Sequence, residues 1–387
     1  VSATDFMTEI EGFEQIQAEI AVLRKYGHDY SLDRGRVTRI LNQLHPKRLH
    51  LKVSEIRTET PSTKSFRLVS TAGPLPPFLA GQYVNLLVDI GGVRTSRPYS
   101  IASPPNQTGF FEIAVRRVPD GFVSNYLLDE VRVGDEFRAT SPGGHFHFNP
   151  LVHTPDLVLL AGGSGITPFM SMVREATDRG LDRRLHLIYG SRNPDDVIFR
   201  EELMDRAARH DNFRFDLIVS EPPAGYQGLT GLITAESISE IVGEVTGKTF
   251  LICGPEAMYN FCLPELKRLG LTPGRRLRTE VFGPPARVTA QPGWPEGVQA
   301  DDMFTVRVRG GASFQAAAGE PLLNSLERNG FGVEAQCRSG ECSLCRTKLL
   351  AGRVFQPPQV KLRKSDRTSG YIHPCLSYPI EDLEILI

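Results

Sequence analysis

The residues best equipped for chemistry are cysteines, and their placement is uneven. Of the six in the chain, four (Cys337, Cys342, Cys345 and Cys375) fall near the C-terminus. The first three follow a C-x4-C-x2-C spacing and the fourth lies downstream, the pattern by which four thiolates close a [2Fe–2S] centre. The loop from Cys337 to Cys342 must wrap a small inorganic core with its backbone N–H groups turned inward, and Ser339 and Gly340 suit the tight turns this needs. Structural zinc and reduced core cysteines are the competing readings. Zinc favours paired C-x2-C knuckles, of which there is one, and core cysteines need no fixed spacing.

A second constellation lies upstream. Arg97, Pro98, Tyr99 and Ser100 place a guanidinium, an aromatic face and a hydroxyl close together, the contacts a flavin nucleotide needs. Alone, the tetrapeptide reads as a solvated arginine, a core tyrosine and a turn serine. It is followed by Val115-Arg116-Arg117-Val118 on the next strand, then by Gly121-Phe-Val123-Ser124, a glycine turn opening a helix whose free N–H groups suit a pyrophosphate.

A third set marks a nucleotide site. Ala161-Gly162-Gly163-Ser-Gly165-Ile-Thr167-Pro168 follows a buried strand and precedes a helix, so N–H groups and the helix dipole converge on an anion. A glycine-rich loop is a weak signal alone, and Pro168 stands where a full dinucleotide fingerprint has its third glycine. Cys253-Gly254-Pro255-Glu-Ala-Met258 ends a later strand at the same sheet edge. A buried thiol at a strand end is the alternative reading of Cys253, and the better one for Cys262.

The second and third sets together resemble the ferredoxin–NADP reductase family over about residues 50–285. That family uses R-x-Y-S and G-x-x-S in its FAD domain, then G-G-x-G-[IV]-T-P, C-G-P-x-x-M and E-x-F in its nicotinamide domain. The resemblance implies that Arg97 binds the flavin phosphate, Tyr99 packs on the ring system and Ser100 hydrogen-bonds near flavin N5. It implies that Val123 and Ser124 cap the pyrophosphate and that Cys253 lies beside nicotinamide C4. In Glu280-Val-Phe282-Gly283, the acid would aid the redox geometry and Phe282 would shield the ring. The intact helix-opening glycine favours FAD over FMN.

The run Cys337-Arg-Ser-Gly-Glu-Cys-Ser-Leu-Cys345 is similar to the plant-type ferredoxins over residues 303–387. Eleven cations from Arg307 to Arg367 give this stretch a basic tilt, unlike most such ferredoxins.

For the nucleotide, relatives that use NADPH often carry Ser-Arg where this chain has Ser220-Glu221. A carboxylate accepts a ribose hydroxyl and repels a 2′-phosphate, so NADH is expected. Ser191-Arg192 on the neighbouring strand could supply the missing positive charge, which leaves NADPH possible.

These residues require a multidomain scaffold. Residues 1–48 read as a helical hairpin: Phe6, Ile10, Phe13, Ile16, Ile20 and Leu23 form one stripe, Gly27 ends the first helix, and a second begins near Ser31 with Val37, Ile40, Leu41 and Leu44. The stripe is expected to pack against the rest of the chain. Period-two stretches between glycine and proline breaks over 49–150 predict an antiparallel β-barrel for the flavin. Continuous apolar strands separated by amphipathic helices over 151–283 predict a parallel α/β sheet. A proline-rich linker, 284–302, precedes a small α+β, β-grasp-like ferredoxin domain, 303–387.

With a net charge of −1, the chain offers no broad basic field for nucleic acid. No apolar run approaches a membrane span, and acids between Val1 and Phe13 stand where a secretory signal carries bases, so the expectation is no membrane and a cytoplasmic location. No Ser-His-Asp set or ligand-like histidine pattern appears. A nicotinamide delivers two electrons and a [2Fe–2S] centre accepts one, so the flavin must stand between them. The motifs therefore imply a reductase feeding an external metalloprotein, such as a terminal oxygenase of the Rieske type. A corrinoid protein, a haem monooxygenase, or a redox-sensing role for the cluster are the alternatives.

Overall fold

The computed structural model describes residues 12–27 and 30–387, so Phe6 and Ile10 lie outside the described residues. The chain divides into two compact units, the first ending at Lys47 and the second spanning Arg48–Ile387. The first holds helices α1 (Phe13–Tyr26) and α2 (Tyr30–Leu44). Arg24 and Lys25 complement the dipole in the last turn of α1, and the Gly27 N–H closes the helix on the Leu23 carbonyl at 2.7 Å. Ile16, Ile20, Leu23, Val37, Ile40, Leu41 and Leu44 are exposed.

The second unit opens with six antiparallel strands: β1 (Leu49–Thr60), β2 (Thr63–Ser70), β3 (Tyr83–Ile90), β4 (Val93–Ser100), β5 (Phe111–Arg116) and β6 (Glu136–Ala139). Their order is β4-β3-β6-β1-β2-β5, and an Ile101–Ile113 bridge joins the two edges into a barrel. Period-two alternation sends Leu49, Leu51 and Val53 inward while His50 and Lys52 face out. Gly91 and Gly92, both at positive φ, form the two-residue turn that fixes the register of the β3–β4 hairpin. Helix α3 (Phe122–Asp129) buries Val123, Leu127 and Leu128 in the barrel core.

Next comes an all-parallel sheet of β7 (Asp156–Gly162), β8 (Arg184–Ser191), β9 (Phe213–Val219), β10 (Leu229–Thr230), β11 (Thr249–Cys253) and β12 (Leu277–Glu280). Helices α4 (Ile166–Asp178), α5 (Arg200–Arg209), α6 (Ala235–Val242) and α7 (Glu256–Arg268) connect them. Alternate residues of one strand feed two separate cores, Leu157 and Leu159 on one face, Val158 and Leu160 on the other, which is why its strands read as continuous apolar runs. The order β10-β9-β8-β7-β11-β12 reverses at β7, so the crevice between the carboxyl ends of β7 and β11 is the topological switch point where such sheets bind ligands.

The last region carries β13 (Met303–Val308), β14 (Ser313–Ala317), helix α8 (Leu322–Arg328), β15 (Thr347–Ala351), β16 (Val354–Phe355), helix α9 (Lys364–Thr368), β17 (Tyr371–Ile372), β18 (Tyr378–Pro379) and β19 (Leu383–Leu386). Five strands order as β14-β13-β19-β15-β17, with β13 and β19 parallel, and α8 lays Leu322 and Leu326 on Val306 and Ile385. The stretch 284–302 is pinned to this region: Val288 joins Phe355 and Tyr378 in a core cluster, with the Trp294 ring 5.1 Å from Phe355. Among the described residues no helix is long and apolar enough to cross a membrane.

Candidate functional site

The four cysteines of the C-terminal region converge. Sγ of Cys345 lies 3.4 Å from that of Cys375, and the thiol of Cys337 is electrostatically and hydrogen-bond coupled to those of Cys342 and Cys375. The N–H groups of Ser339, Glu341 and Cys342 all donate to Cys337 Sγ at 3.4 Å. Hydrogen bonds from neighbouring thiols push the Cys337 pKa down, and contacts among the same thiols push those of Cys342 and Cys375 up, as closely spaced thiols sharing charge must. Arg338 and Ser343 adopt left-handed backbone at φ 51° and 59°, and Gly340 does so where a Cβ would lie 2.9 Å from Leu376. A loop strained at these points, with three N–H groups turned on one sulfur and only Cys342 exposed, fits a thiolate-held [2Fe–2S] core.

In the barrel, β4 carries Arg97, Pro98, Tyr99 and Ser100. Arg97 donates to Thr95 Oγ1 at 2.8 Å and to the Ser96 carbonyl at 2.7 Å. It makes no ion pair of its own among the described residues, and burial with the nearby Arg338 pulls its pKa down to about 10. Tyr99 packs against the barrel core, and burial raises its phenol. The Ser100 hydroxyl is buried without a hydrogen-bond partner. At the start of α3, Ser124 Oγ accepts from the Val118 N–H at 3.4 Å and Gly121 allows the close turn. An arginine lacking a carboxylate, an orphan buried hydroxyl and a glycine-opened helix start fit a flavin nucleotide.

Val115, Arg116 and Val118, expected at that site, take separate positions. Val115 is fully buried in the barrel core, so no side chain reaches a ligand, and Val118 is exposed. The Arg116 guanidinium pairs with Asp196 of the α/β region and abuts Gly163, in the wall of the nucleotide cavity. The alternation of β5 dictates this: a residue following a core valine points away from the barrel.

That cavity, about 610 Å³, opens at the switch point. Its wall takes Gly162 and Gly163 from the β7 loop, Ser191 and Arg192 after β8, Ser220 after β9, Gly254, Pro255 and Met258 from the β11 turn, and Phe282. Met258 Sδ lies so near Gly162 and Gly254 that a Cβ at either would meet it at 2.7 and 2.5 Å. At Gly165 a Cβ would collide with the Cys253 carbonyl, which explains the third glycine of the loop. Thr167 Oγ1 fastens the turn by donating to the Ser164 carbonyl at 2.8 Å, and Pro168 is buried in the first turn of α4. Glu221 is exposed beside the cavity, its N–H bonded to the Arg192 carbonyl at 2.7 Å, and does not form part of the wall.

The end of β11 joins these parts. Cys253 pairs in register with Ala161 on one side and Glu280 on the other. It is fully buried, and burial and Glu280 raise its thiol. The Glu280 carboxyl is raised too, by burial and by Glu341 of the cysteine loop, and its Oε2 is buried with no partner. Tyr83, cross-strand from Ser100, is raised by burial and by the fields of Cys337, Cys342, Glu280 and Glu341. Ser100, Glu280, Tyr83 and the cysteine loop thus form one junction, and Tyr83 was not legible as part of it because its neighbours come from three separate segments.

Known proteins share this layout. The model of an oxidoreductase FAD-binding domain matches residues 50–148, an oxidoreductase NAD-binding domain 159–263, and a 2Fe-2S iron-sulfur cluster binding domain 306–379. The glycine betaine monooxygenase reductase subunit of Chromohalobacter salexigens is 30% identical over 349 residues, spanning 86% of this chain and 93% of that protein. The NADH oxidoreductase HCR of Escherichia coli is 30% identical over 333 residues, spanning 86% and 96%. Among solved structures, phthalate dioxygenase reductase, described as a modular structure for electron transfer from pyridine nucleotides to [2Fe-2S], aligns with a TM-score of 0.66 at 25% identity over 88% of this chain and 97% of that one. The chain therefore belongs to the reductase family that joins an FAD-binding, an NAD-binding and a [2Fe–2S] domain. It is an NAD(P)H-dependent oxidoreductase of that family, with FAD and a [2Fe–2S] cluster as its groups.

Proposed function

We propose that the protein is the reductase component of an oxygenase system, drawing on NADH and supplying electrons to a separate terminal oxygenase. The observation that carries this is that Tyr83, cross-strand from Ser100, and the buried Glu280 both feel the charges of the cysteine loop, while Glu280 pairs in register with Cys253, whose following residues wall the nucleotide cavity. When bound, FAD supplies the conversion of a hydride into single electrons that a [2Fe–2S] centre can take.

In this reading the chain's residues orient the groups and exclude water. Arg97 neutralises the flavin phosphate, the N–H groups of Val123 and Ser124 hold the pyrophosphate, and Tyr99 and Phe282 flank the ring. The Ser100 hydroxyl, buried without a partner, would be the donor offered to the flavin ring when FAD is bound. Burial and Glu341 raise the Glu280 carboxyl, which favours a neutral hydrogen-bonding group at the junction. N–H groups of the Gly162–Gly165 loop and the start of α4 hold the nicotinamide pyrophosphate. Gly254, Pro255 and Met258 shape the wall around Cys253, and Cys337, Cys342, Cys345 and Cys375 ligate iron. Ser191, Arg192 and Ser220 line the end of the cavity expected for the adenosine ribose, and Glu221, exposed beside it, is the carboxylate on which the preference for NADH rests.

The test uses protein loaded with FAD and cluster. NADH should drive both ferricyanide and cytochrome c reduction, with a higher kcat/KM than NADPH. Ferricyanide reduction without any cytochrome c reduction would refute the relay, and a strong NADPH preference would refute the assignment of the nucleotide.

A further inference from the structure

One hydrogen-bonded chain of side chains runs from the flavin arginine to the cluster loop. Arg97 donates to Thr95 Oγ1 at 2.8 Å, and the same hydroxyl donates onward to Glu327 Oε2 at 2.8 Å. Glu327, on α8 of the ferredoxin region, takes both terminal nitrogens of Arg338 at 2.7 and 2.8 Å. Arg338 is the residue after Cys337, and it also donates to Asn324 at 2.7 Å. Glu327 and Arg338 are almost wholly buried, with side-chain exposures of 8% and 5%.

Two features make this more than a structural contact. A guanidinium can only donate and a carboxylate can only accept, so the Thr95 hydroxyl receives Arg97 on its oxygen and gives its one proton to Glu327, and its orientation is set by both ends. The buried set also carries two guanidinium groups and one carboxylate, leaving an excess positive charge that a bound phosphate at Arg97 would balance. Buried ion pairs contribute little net stability but hold geometry tightly, as expected of a part that sets position.

We propose that Thr95 and Glu327 are positioning residues that couple anion occupancy at Arg97 to the docking of the cluster loop on the barrel. Flavin binding and the seating of segment 334–338 are then linked equilibria. Because such coupling is reciprocal, breaking the chain weakens flavin affinity, and removing flavin loosens the segment. The inference rests on the reading that Arg97 holds the flavin phosphate.

The experiment measures FAD affinity by fluorescence quenching and amide hydrogen exchange over 334–338, on full-length cluster-loaded protein. Wild type, Arg97→Ala, Thr95→Val and Glu327→Gln are compared, with and without FAD. Thr95→Val keeps the shape and strand propensity of the residue, so it tests the chain even where Glu327→Gln fails to fold. Removing FAD should speed exchange at 334–338 in wild type about fivefold or more, a linkage that Thr95→Val abolishes while weakening FAD affinity about fivefold. FAD affinity within twofold of wild type in Thr95→Val, with Arg97→Ala strongly impaired, overturns the latch and leaves the flavin site standing. Unchanged affinity in Arg97→Ala overturns the flavin-site reading and the latch with it.

Discussion

The barrel meets its two neighbours in different ways. Against the α/β region the seam is a buried charge network. Arg174 on α4 reaches Glu112 of β5 at 2.6 Å and the Ala102 carbonyl at 3.0 Å, while its other nitrogens hold Glu202 of α5. Asp196 collects Thr60 Oγ1 at 2.9 Å and Ser62 Oγ at 2.7 Å together with Arg116. Against the ferredoxin region the seam is a row of separate polar points: Arg48 to Glu334, Asn85 Nδ2 to the Ala335 carbonyl at 2.6 Å, and Thr95 to Glu327. These border a cavity of about 510 Å³. The contrast matches the tasks: a hydride needs its two partners in near contact, so that seam is cross-braced, whereas an electron tolerates a looser one.

The sharpest way to sever the ferredoxin side alone is Cys342→Ser. The loss of one thiolate should abolish NADH-driven cytochrome c reduction while ferricyanide reduction at the flavin continues. Equal loss of both would show that the second seam is not independent of the first.

Next in size is Arg174→Met. Removing one member of a buried ion network leaves its partners uncompensated, and about 3 kcal/mol or more of stability should be lost. Arg57 and Arg67, each 3.5 Å from Glu112, set the lower end of that range by retaining part of its field. Denaturant unfolding of the full chain measures this, and a loss under about 1 kcal/mol would mean the brace is ornamental.

Acid should probe the same seam more gently. Burial pushes the Glu202 carboxyl up, yet Arg174 and Arg206 hold it at about 2 in the folded protein. A folded value below the unfolded one contributes stability that is complete above the unfolded carboxyl range. It is lost as pH falls from about 4.5 toward 2. Wild type should therefore lose more stability between pH 5 and 3 than Arg174→Met does. Parallel losses in the two proteins would place the acid-sensitive carboxylates elsewhere.

What the sequence disclosed follows the same division. The cysteine spacing, Gly162–Gly165 and Cys253–Met258 act within a few residues of themselves, and a glycine forced by the Cys253 carbonyl or by Met258 leaves its mark locally. The alternating strands of the barrel and the continuous runs of the parallel sheet were legible for a similar reason, since periodicity is a local record of which faces are covered. Arg174, Asp196, Thr95 and Glu327 meet their seam partners between 28 and 232 residues away, beyond the reach of any local spacing. Val115 and Arg116 differ from these, for the strand period itself separates the core-facing valine from the outward arginine. The placement of Glu221 outside the cavity wall depends on loop geometry that no spacing rule encodes.

The smallest effect belongs to the outermost point of the second seam. Arg48 and Glu334 meet at 3.2 Å with side-chain exposures of 39% and 69%, so water and salt screen the pair. Glu334→Gln should shift unfolding by no more than about 1 kcal/mol, and that shift should shrink in high salt. The substitution still falls in the segment leading to Cys337, three residues from the first thiolate. If seating of that segment relies on Thr95 and Glu327, cytochrome c reduction in Glu334→Gln stays within twofold of wild type. A larger fall, with stability unchanged, would move the anchoring of the cluster from the buried carboxylate to the rim.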